Sequence, residues 1–205
     1  PGTTLSPTLN DWRITWFAPG VFTGDRVQSG YRWYNNANGL TSGAPLALQD
    51  TPATSLINGQ TFRLRLMMHK NNAGLPVSTG NYRLQFAPKM GPTCGLNMAA
   101  TDEVYSNVTD TTAIAFANNS DAAAVNGAPI SFMASDPQHD PDEGGPLPPH
   151  TRRYQSYQEL LTTTFTNNQY AIGVGEDGVW DFALRDLSAP SRARYCFRIA
   201  QEGAP

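Results

Sequence analysis

Apolar and polar residues alternate along several short segments of this chain, and a two-residue period places alternate side chains of a β-strand on opposite faces. Between residues 61 and 68 the apolar side chains share one face, whereas Arg63 and Arg65 lie on the other. The same alternation recurs at 81–87 and at 194–200. These segments are predicted to be half-buried strands.

Turn residues between alternating segments predict how the strands connect. The sequence Asn-Asn-Ala-Gly at 71–74 separates the first two strands and predicts a hairpin with a long connection. A second alternating pair, at 170–174 and 180–184, is separated by Asp177-Gly178, which is a strong hairpin signal. Two hairpins are therefore predicted.

Three further segments have strand-like patterns: 14–17, 31–34 and 113–117. Seven or more short strands with turn signals between them predict an all-β fold, an antiparallel β-sandwich of the immunoglobulin-like or jelly-roll-like kind with long loops. At most one short helix is expected, at 154–161, where apolar residues follow helical spacing. We expect residues 1–20 to form an N-terminal arm and 21–205 to form a single domain.

Charged residues make up only 15% of the 205 residues, and the net charge is −3. Glycine and proline are frequent, which suits short strands joined by turns. A weakly negative chain has no electrostatic attraction for phosphate backbones or anionic lipids. We therefore expect neither nucleic acid nor a membrane as a partner, and the sequence contains no transmembrane segment.

Cys94 and Cys196 are the only cysteines. A widely separated pair in a turn-rich chain indicates one disulfide and an oxidising compartment, with two buried free thiols as the alternative. A bridge that closes a loop of about 100 residues would restrict the unfolded chain by about 4–5 kcal/mol. We expect an exported protein, extracellular or at the cell surface, whose signal peptide is not part of this chain.

A segment rich in acids, prolines and glycines, 136–150, is predicted to be an exposed loop. Its carboxylates and imidazoles include candidate metal ligands, namely Asp136, His139, Asp140 and Asp142. Their spacing matches no known ligand pattern, and charged runs are usually solvated. We therefore expect no metal and no other cofactor.

A catalytic triad needs a base that is oriented by a carboxylate and lies beside a nucleophile. The three histidines, His69, His139 and His150, lie in no such motif, and His69 is interpreted as a polar residue at a strand end. Residues 173–178 match the glycine-rich GxGxxG pattern, but a strand pattern follows instead of the helix that dinucleotide binding requires. We expect no enzyme, with a two-carboxylate β-sandwich glycosidase as the alternative.

Aromatic residues are concentrated in the N-terminal part of the chain: Trp12, Trp16, Tyr31, Trp33 and Tyr34. Such side chains either stack on sugar rings, anchor a protein interface or pack in a core, and we prefer the core. Asn107 and Asn118 begin glycosylation sequons, which favours an external location.

Residues 3–10 alternate in strand period without a hairpin partner, with Leu5, Pro7 and Leu9 on one face. An extended arm of this kind would add a strand to the sheet of a neighbouring subunit. The alternative is an edge strand of the chain's own fold, and Pro7 is tolerated in both arrangements.

The ordered motifs YRWY at 31–34, FRLR at 62–65, YRLQFA at 82–87, Cys94 and YCFR at 195–198 together resemble a group of bacterial secreted surface modules. The resemblance implies a cell-surface β-sandwich without an assigned enzymatic activity. It also implies that Cys94 pairs with Cys196. The acidic loop and the N-terminal arm lie outside this pattern.

These observations predict a structural subunit of an extracellular filament or cell-surface layer that assembles with copies of itself through the N-terminal arm. The alternative is a carbohydrate-binding or adhesive surface module, with glycans as partners. An assembler polymerises without ligand, whereas an adhesive module responds to particular glycans.

Overall fold

The computed structural model of this chain describes residues 26–37, 39–53, 59–91, 94, 103–119, 124–139, 150–159, 164–190 and 193–202. The regular secondary structure of these residues consists of eight β-strands. In chain order they are β1 (Arg26–Asn35), β2 (Thr61–Lys70), β3 (Tyr82–Pro88), β4 (Ser106–Asn107), β5 (Ile114–Phe116), β6 (Thr151–Gln158), β7 (Glu176–Asp186) and β8 (Tyr195–Gln201).

The eight strands form two sheets that pack together. The larger sheet has the order β1-β2-β7-β5, and β6 also pairs with β7; the smaller sheet has the order β4-β3-β8. The predicted all-β sandwich is confirmed. One pairing was not predicted, because β6 runs parallel to β7 whereas the other strand pairs are antiparallel.

The main core lies between the two sheets and follows from the alternation in the sequence. Trp33 on β1 contacts Phe197 on β8 with ring centroids 5.5 Å apart, which joins one sheet to the other. Burial of each such side chain contributes about 1.5–3 kcal/mol. Tyr31, Trp33 and Tyr34 are all buried, which confirms the core interpretation for them, whereas Trp12 and Trp16 lie outside the described residues.

The first predicted hairpin is wrong. β2 pairs with β1 and β7 in the larger sheet, whereas β3 pairs with β4 and β8 in the smaller sheet. The connection between them crosses from one sheet to the other, with an isolated bridge between Leu75 and Ile172 on the way. The alternation predicted which side chains of these strands face the core but not the partners of the strands, and β2 is buried on both faces instead of half-buried.

The second predicted hairpin is also wrong, because Asp177 and Gly178 lie inside β7. The chain turns just before this strand, at Gly175, whose φ of 75° is the left-handed conformation that glycine adopts readily. Gly178 is required for a different reason. A Cβ atom there would lie 2.4 Å from Ile172 Cδ1 and 2.7 Å from the ring of Trp180, so the glycine permits close packing.

The predicted helix at 154–161 is replaced by β6, which ends at Gln158. Tertiary hydrogen bonds outweigh the local helical spacing here. The Tyr157 amide donates to the carbonyl of Ala128 at 2.9 Å, and the Gly127 amide donates to the carbonyl of Tyr157 at 2.8 Å. Residues 160–163 lie outside the described part of the chain.

The outer face of the larger sheet is covered by a second layer, formed by residues 124–139. Ala124 and Ile130 pack against sheet residues in a separate apolar cluster whose sheet members are Met67, Tyr157, Val179 and Ala183. Asp136 and Pro137 are buried, so the prediction of an exposed loop at 136–150 is wrong for its described first residues. Residues 140–149 lie outside the described residues.

A buried ionic network lies between this layer and the sheet. Asp181 accepts two hydrogen bonds from Arg63, both 2.9 Å long, and one of 2.9 Å from Arg65. Arg65 also pairs with Asp136, and the side chains of all three ion pairs are fully buried. Burial alone would raise the pKa of Asp181, but Arg63 and Arg65 hold it well below the usual range.

The predicted disulfide between Cys94 and Cys196 is present, with the two Cα atoms 5.8 Å apart. Its partners are 102 positions apart in sequence, and closure of such a loop stabilises the fold by about 4–5 kcal/mol on chain-entropy grounds. The described part of the chain contains no helix that is long and apolar enough to cross a membrane.

The substitution Asp181→Asn should lower the free energy of unfolding by about 3–5 kcal/mol, because two buried guanidinium groups lose their shared counter-charge. Since the folded-state pKa of Asp181 is lowered, its contribution is present above the unfolded pKa of about 3.9. It is lost as the pH falls through the folded pKa. Guanidinium chloride unfolding at pH 7 and at lower pH measures both effects.

Glu202→Gln provides a matched control, because Glu202 pairs with Arg83 at the surface, with side chains 40% and 30% exposed. This variant should lose less than about 1 kcal/mol. Equal losses for the two variants would contradict a dominant role for the buried network.

Candidate functional site

All three histidines of the chain meet at one buried carboxylate. His69, His139, His150 and Asp177 each present one potential ligand atom, and these four atoms lie within 4.8 Å of one another. The imidazole rings are also in contact, with centroids 4.2 Å apart for His139 and His150 and 4.6 Å apart for His69 and His139. We call these four residues the histidine cluster.

The strand register positions two members of the cluster. In the antiparallel β2–β7 pair, His69 lies directly opposite Asp177, and both point to the outer face of the larger sheet. In the parallel β6–β7 pair, Arg152 is the partner of Asp177. His150 precedes β6 by one residue, so it lies beside the same carboxylate.

An irregularity in β1 brings further groups to the cluster. The β1–β2 register shifts between Gln28 and Gly30, and Ser29 Oγ donates a hydrogen bond of 2.6 Å to Asp177 Oδ1. A Cβ atom at Gly30 would lie 3.2 Å from the carbonyl oxygen of Gln138, so the glycine leaves room for the backbone next to His139. The bulge therefore serves both the carboxylate and the segment that carries His139.

Asp177 is the electrostatic centre of the cluster, and its side chain is fully buried. Burial would raise its pKa, but hydrogen bonds from His139, His69 and Ser29 outweigh burial and hold the pKa well below its usual range. Oδ1 receives these contacts. Within the described part of the chain, Oδ2 accepts no hydrogen bond.

The nitrogen atoms that face Asp177 are all Nδ1 atoms. Nδ1 lies 3.2 Å from Asp177 Oδ1 in His139 and 3.4 Å from it in His69, and the Nδ1 atoms of His150 and His69 are 3.3 Å apart. At that distance one imidazole donates a hydrogen bond to the other, and the tautomers decide which ring is the donor. Three imidazole nitrogens and one carboxylate oxygen form a ligand set suited to divalent transition metals.

A cavity of about 360 Å³ adjoins the cluster. Its walls include His139 and His150 from the cluster, together with Phe132, Gln138, Arg152 and Tyr154. Phe132 is 59% exposed, and the Arg152 guanidinium carbon lies 5.2 Å from the centre of its ring. The cavity therefore connects the cluster with solvent and has an aromatic, positively charged wall.

The structure divides the metal-ligand candidates named from the sequence. His139 belongs to the cluster, whereas Asp136 pairs with Arg65 and accepts a hydrogen bond of 2.7 Å from the Met133 amide. Asp140 and Asp142 lie outside the described residues. His69 lies next to the end of β2, as interpreted from the sequence, but it is 7% exposed and contacts both other histidines.

The other residues predicted from the sequence lie away from the cluster. Asn118 is exposed, and Asn107 lies on β4, where it accepts a hydrogen bond of 3.0 Å from Gln85. The residues of the assembly arm, Leu5, Pro7 and Leu9, lie outside the described residues.

Sequence reasoning missed Asp177 and Ser29. Asp177 was assigned to a turn because it precedes a glycine, although it continues the strand alternation of β7. A usable signal existed for His69, because it follows Arg63 and Arg65 at two-residue spacing and therefore shares their face.

Comparison with known proteins gives no relative of this chain: no protein-family model, no curated protein and no solved structure matches it.

Proposed function

We propose that this chain is a structural module of an extracellular filament or cell-surface layer, and that it joins a second copy of itself through its N-terminal arm. The disulfide supports an oxidising location, because such bonds persist outside the reducing cytosol. The buried ionic network and the two apolar layers make the domain a rigid support. The observation that carries the proposal is that the start of β1 lies beside the outer edge of β8.

Strand β8 ends the smaller sheet, since β3 is its one partner among the described strands. The described chain begins at Arg26, whose guanidinium donates to the side-chain oxygen of Gln201 at the end of β8. A second hydrogen bond joins the same two strands, because the Ile199 amide of β8 donates to Gln28 Oε1 of β1 at 3.3 Å. A segment joined to Arg26 therefore has the outer edge of β8 within reach.

The arm has the sequence pattern that an edge strand requires. Leu5, Pro7 and Leu9 alternate with polar residues, so one face would cover the apolar core while the backbone pairs with β8. Pairing within the same chain gives a closed monomer. Pairing with the next copy links the copies head to tail, which is the arrangement that we propose.

The 205-residue chain should form oligomers whose size rises with concentration, and a variant that lacks residues 1–10 should stay monomeric and folded. The physical reason is that the deletion removes the strand that adds to a neighbouring sheet. Light scattering across a concentration series measures assembly, and near-ultraviolet circular dichroism checks the fold.

A peptide of residues 1–10 should bind to the truncated variant, and the same peptide with Leu5→Asp and Leu9→Asp should not. This matched pair separates strand addition from non-specific association. A 205-residue chain that stays monomeric at every concentration, or assembly that survives the deletion, would contradict the proposal.

A second function, carbohydrate binding, is favoured by the wall of the cavity. Phe132 is largely exposed, and Tyr154 lies edge-on to it with ring centroids 6.2 Å apart. Arg152 lies over both rings and adds hydrogen-bond donors beside the aromatic surface. Such a surface suits a sugar ring, which presents an apolar face and polar edges.

Phe132→Ala should weaken binding of any glycan that the protein recognises by about two- to tenfold, because the loss of an aromatic contact is worth about 0.5–1.5 kcal/mol. A glycan array followed by calorimetry measures the change. Val104→Ala, at an exposed apolar residue away from the cavity wall, is the control. Equal affinities for the two variants would place glycan binding elsewhere.

A further inference from the structure

We propose that His69, His139, His150 and Asp177 bind a divalent transition metal ion, with Zn²⁺ as the ion that best suits this ligand set. The proposal rests on the geometry of the histidine cluster and does not depend on self-assembly or on glycan binding. It differs from the expectation, drawn from the sequence, of a chain without a metal. Four independent observations carry it.

The first observation is the spacing of the ligand atoms. Ligand atoms bound about 2.0–2.2 Å from a tetrahedral ion lie about 3.3–3.6 Å from one another. The corresponding distances here are 3.2 Å and 3.4 Å from Asp177 Oδ1 to His139 and His69, 3.3 Å between His69 and His150, and 3.7 Å from His150 to Asp177 Oδ2. These four separations lie close to those of a coordination tetrahedron, and all four ligand atoms lie within 4.8 Å of one another.

The second observation is the buried carboxylate. Asp177 Oδ2 is inaccessible to solvent and accepts no hydrogen bond within the described residues, and an oxygen left in this state destabilises the fold. A bound cation would satisfy this oxygen or share the charge of the carboxylate through Oδ1.

The third observation is the support around the ligands. Ser29 donates to Asp177 Oδ1, which fixes the orientation of the carboxylate. His69 and Asp177 lie on paired strands, so their separation is set by the sheet. Ligands held by regular strands need little rearrangement on binding, and this lowers the entropy cost of forming the site.

The fourth observation is a route for the ion. The cavity reaches His139 and His150, and the side chain of His150 is 23% exposed. An ion that enters here meets these two imidazoles first and the buried carboxylate last. The donor set also selects the kind of ion, because imidazole nitrogen suits zinc and its neighbours whereas calcium and magnesium prefer oxygen ligands.

The position of the ligands defines what the ion would do. His139 and His150 flank residues 140–149, and His69 and Asp177 belong to the larger sheet. One ion would therefore tie both ends of this segment to two central strands. Four protein ligands fill a tetrahedral site, which is the pattern of a structural metal centre.

The decisive experiment follows the three histidine side chains by nuclear magnetic resonance. Protein freed of metal with a chelator is titrated with Zn²⁺ at pH 7.5, and long-range ¹H–¹⁵N spectra record the imidazole nitrogens. Because the chain has only three histidines, all three should shift together and stop shifting at one equivalent of Zn²⁺. Millimolar Ca²⁺ should cause no such change.

Thermal unfolding gives the second measurement. Free Zn²⁺ at about one hundred times its Kd should raise the Tm of the wild-type protein by about 5–10 °C. His139→Gln and His150→Gln should each weaken Zn²⁺ binding at least about tenfold and reduce this rise. Val104→Ala, at an exposed residue outside the cluster and outside the cavity wall, should behave as the wild type does.

Two results would overturn the proposal. One is a folded wild-type protein whose imidazole signals do not respond to Zn²⁺. The other is Zn²⁺ binding of unchanged strength in folded His139→Gln and His150→Gln variants, which would assign the ion to other groups. Near-ultraviolet circular dichroism of the metal-free variants establishes that they are folded.

Discussion

The antiparallel register between β2 and β7 is the constraint on which the rest of the structure depends. This register places Arg65 opposite Asp181 and His69 opposite Asp177. The ionic network and the histidine cluster therefore lie on the same face of the sheet, at two positions along the same pair of strands. A shift of one residue would turn these side chains toward the apolar core. The same pairing that closes the core therefore also builds the site.

Local patterns predicted the faces of the strands but not their neighbours. The two-residue period identified the buried sides of β2, β3 and β8, because that period follows from strand geometry alone. The partner of each strand depends on contacts between distant parts of the chain, and β2 and β3 consequently belong to different sheets. Tyr157 illustrates the same limit, since its backbone bonds to residues 127 and 128 outweigh helical spacing.

The histidine cluster was harder to predict than the fold. Its ligands come from β2, from β7 and from both flanks of residues 140–149, so no spacing along the chain reveals them. The place of Asp177 in a strand was missed because the dipeptide Asp-Gly indicates a turn. In the structure, Gly178 instead allows close packing against Trp180. The disulfide, by contrast, followed directly from the sequence, because two cysteines allow one pairing.

A polar face on a buried sheet requires a covering layer, and this requirement links the ionic network to the cluster. Asp136 pairs with Arg65, and His139 lies three residues further along the same segment, against Asp177. The network thus fixes the path of the chain that delivers His139. Removal of an ion from the cluster would release His139, whereas Asp136 would stay paired with Arg65. We therefore expect the metal-free protein to keep its sandwich core and to unfold at a lower temperature than the zinc-bound protein.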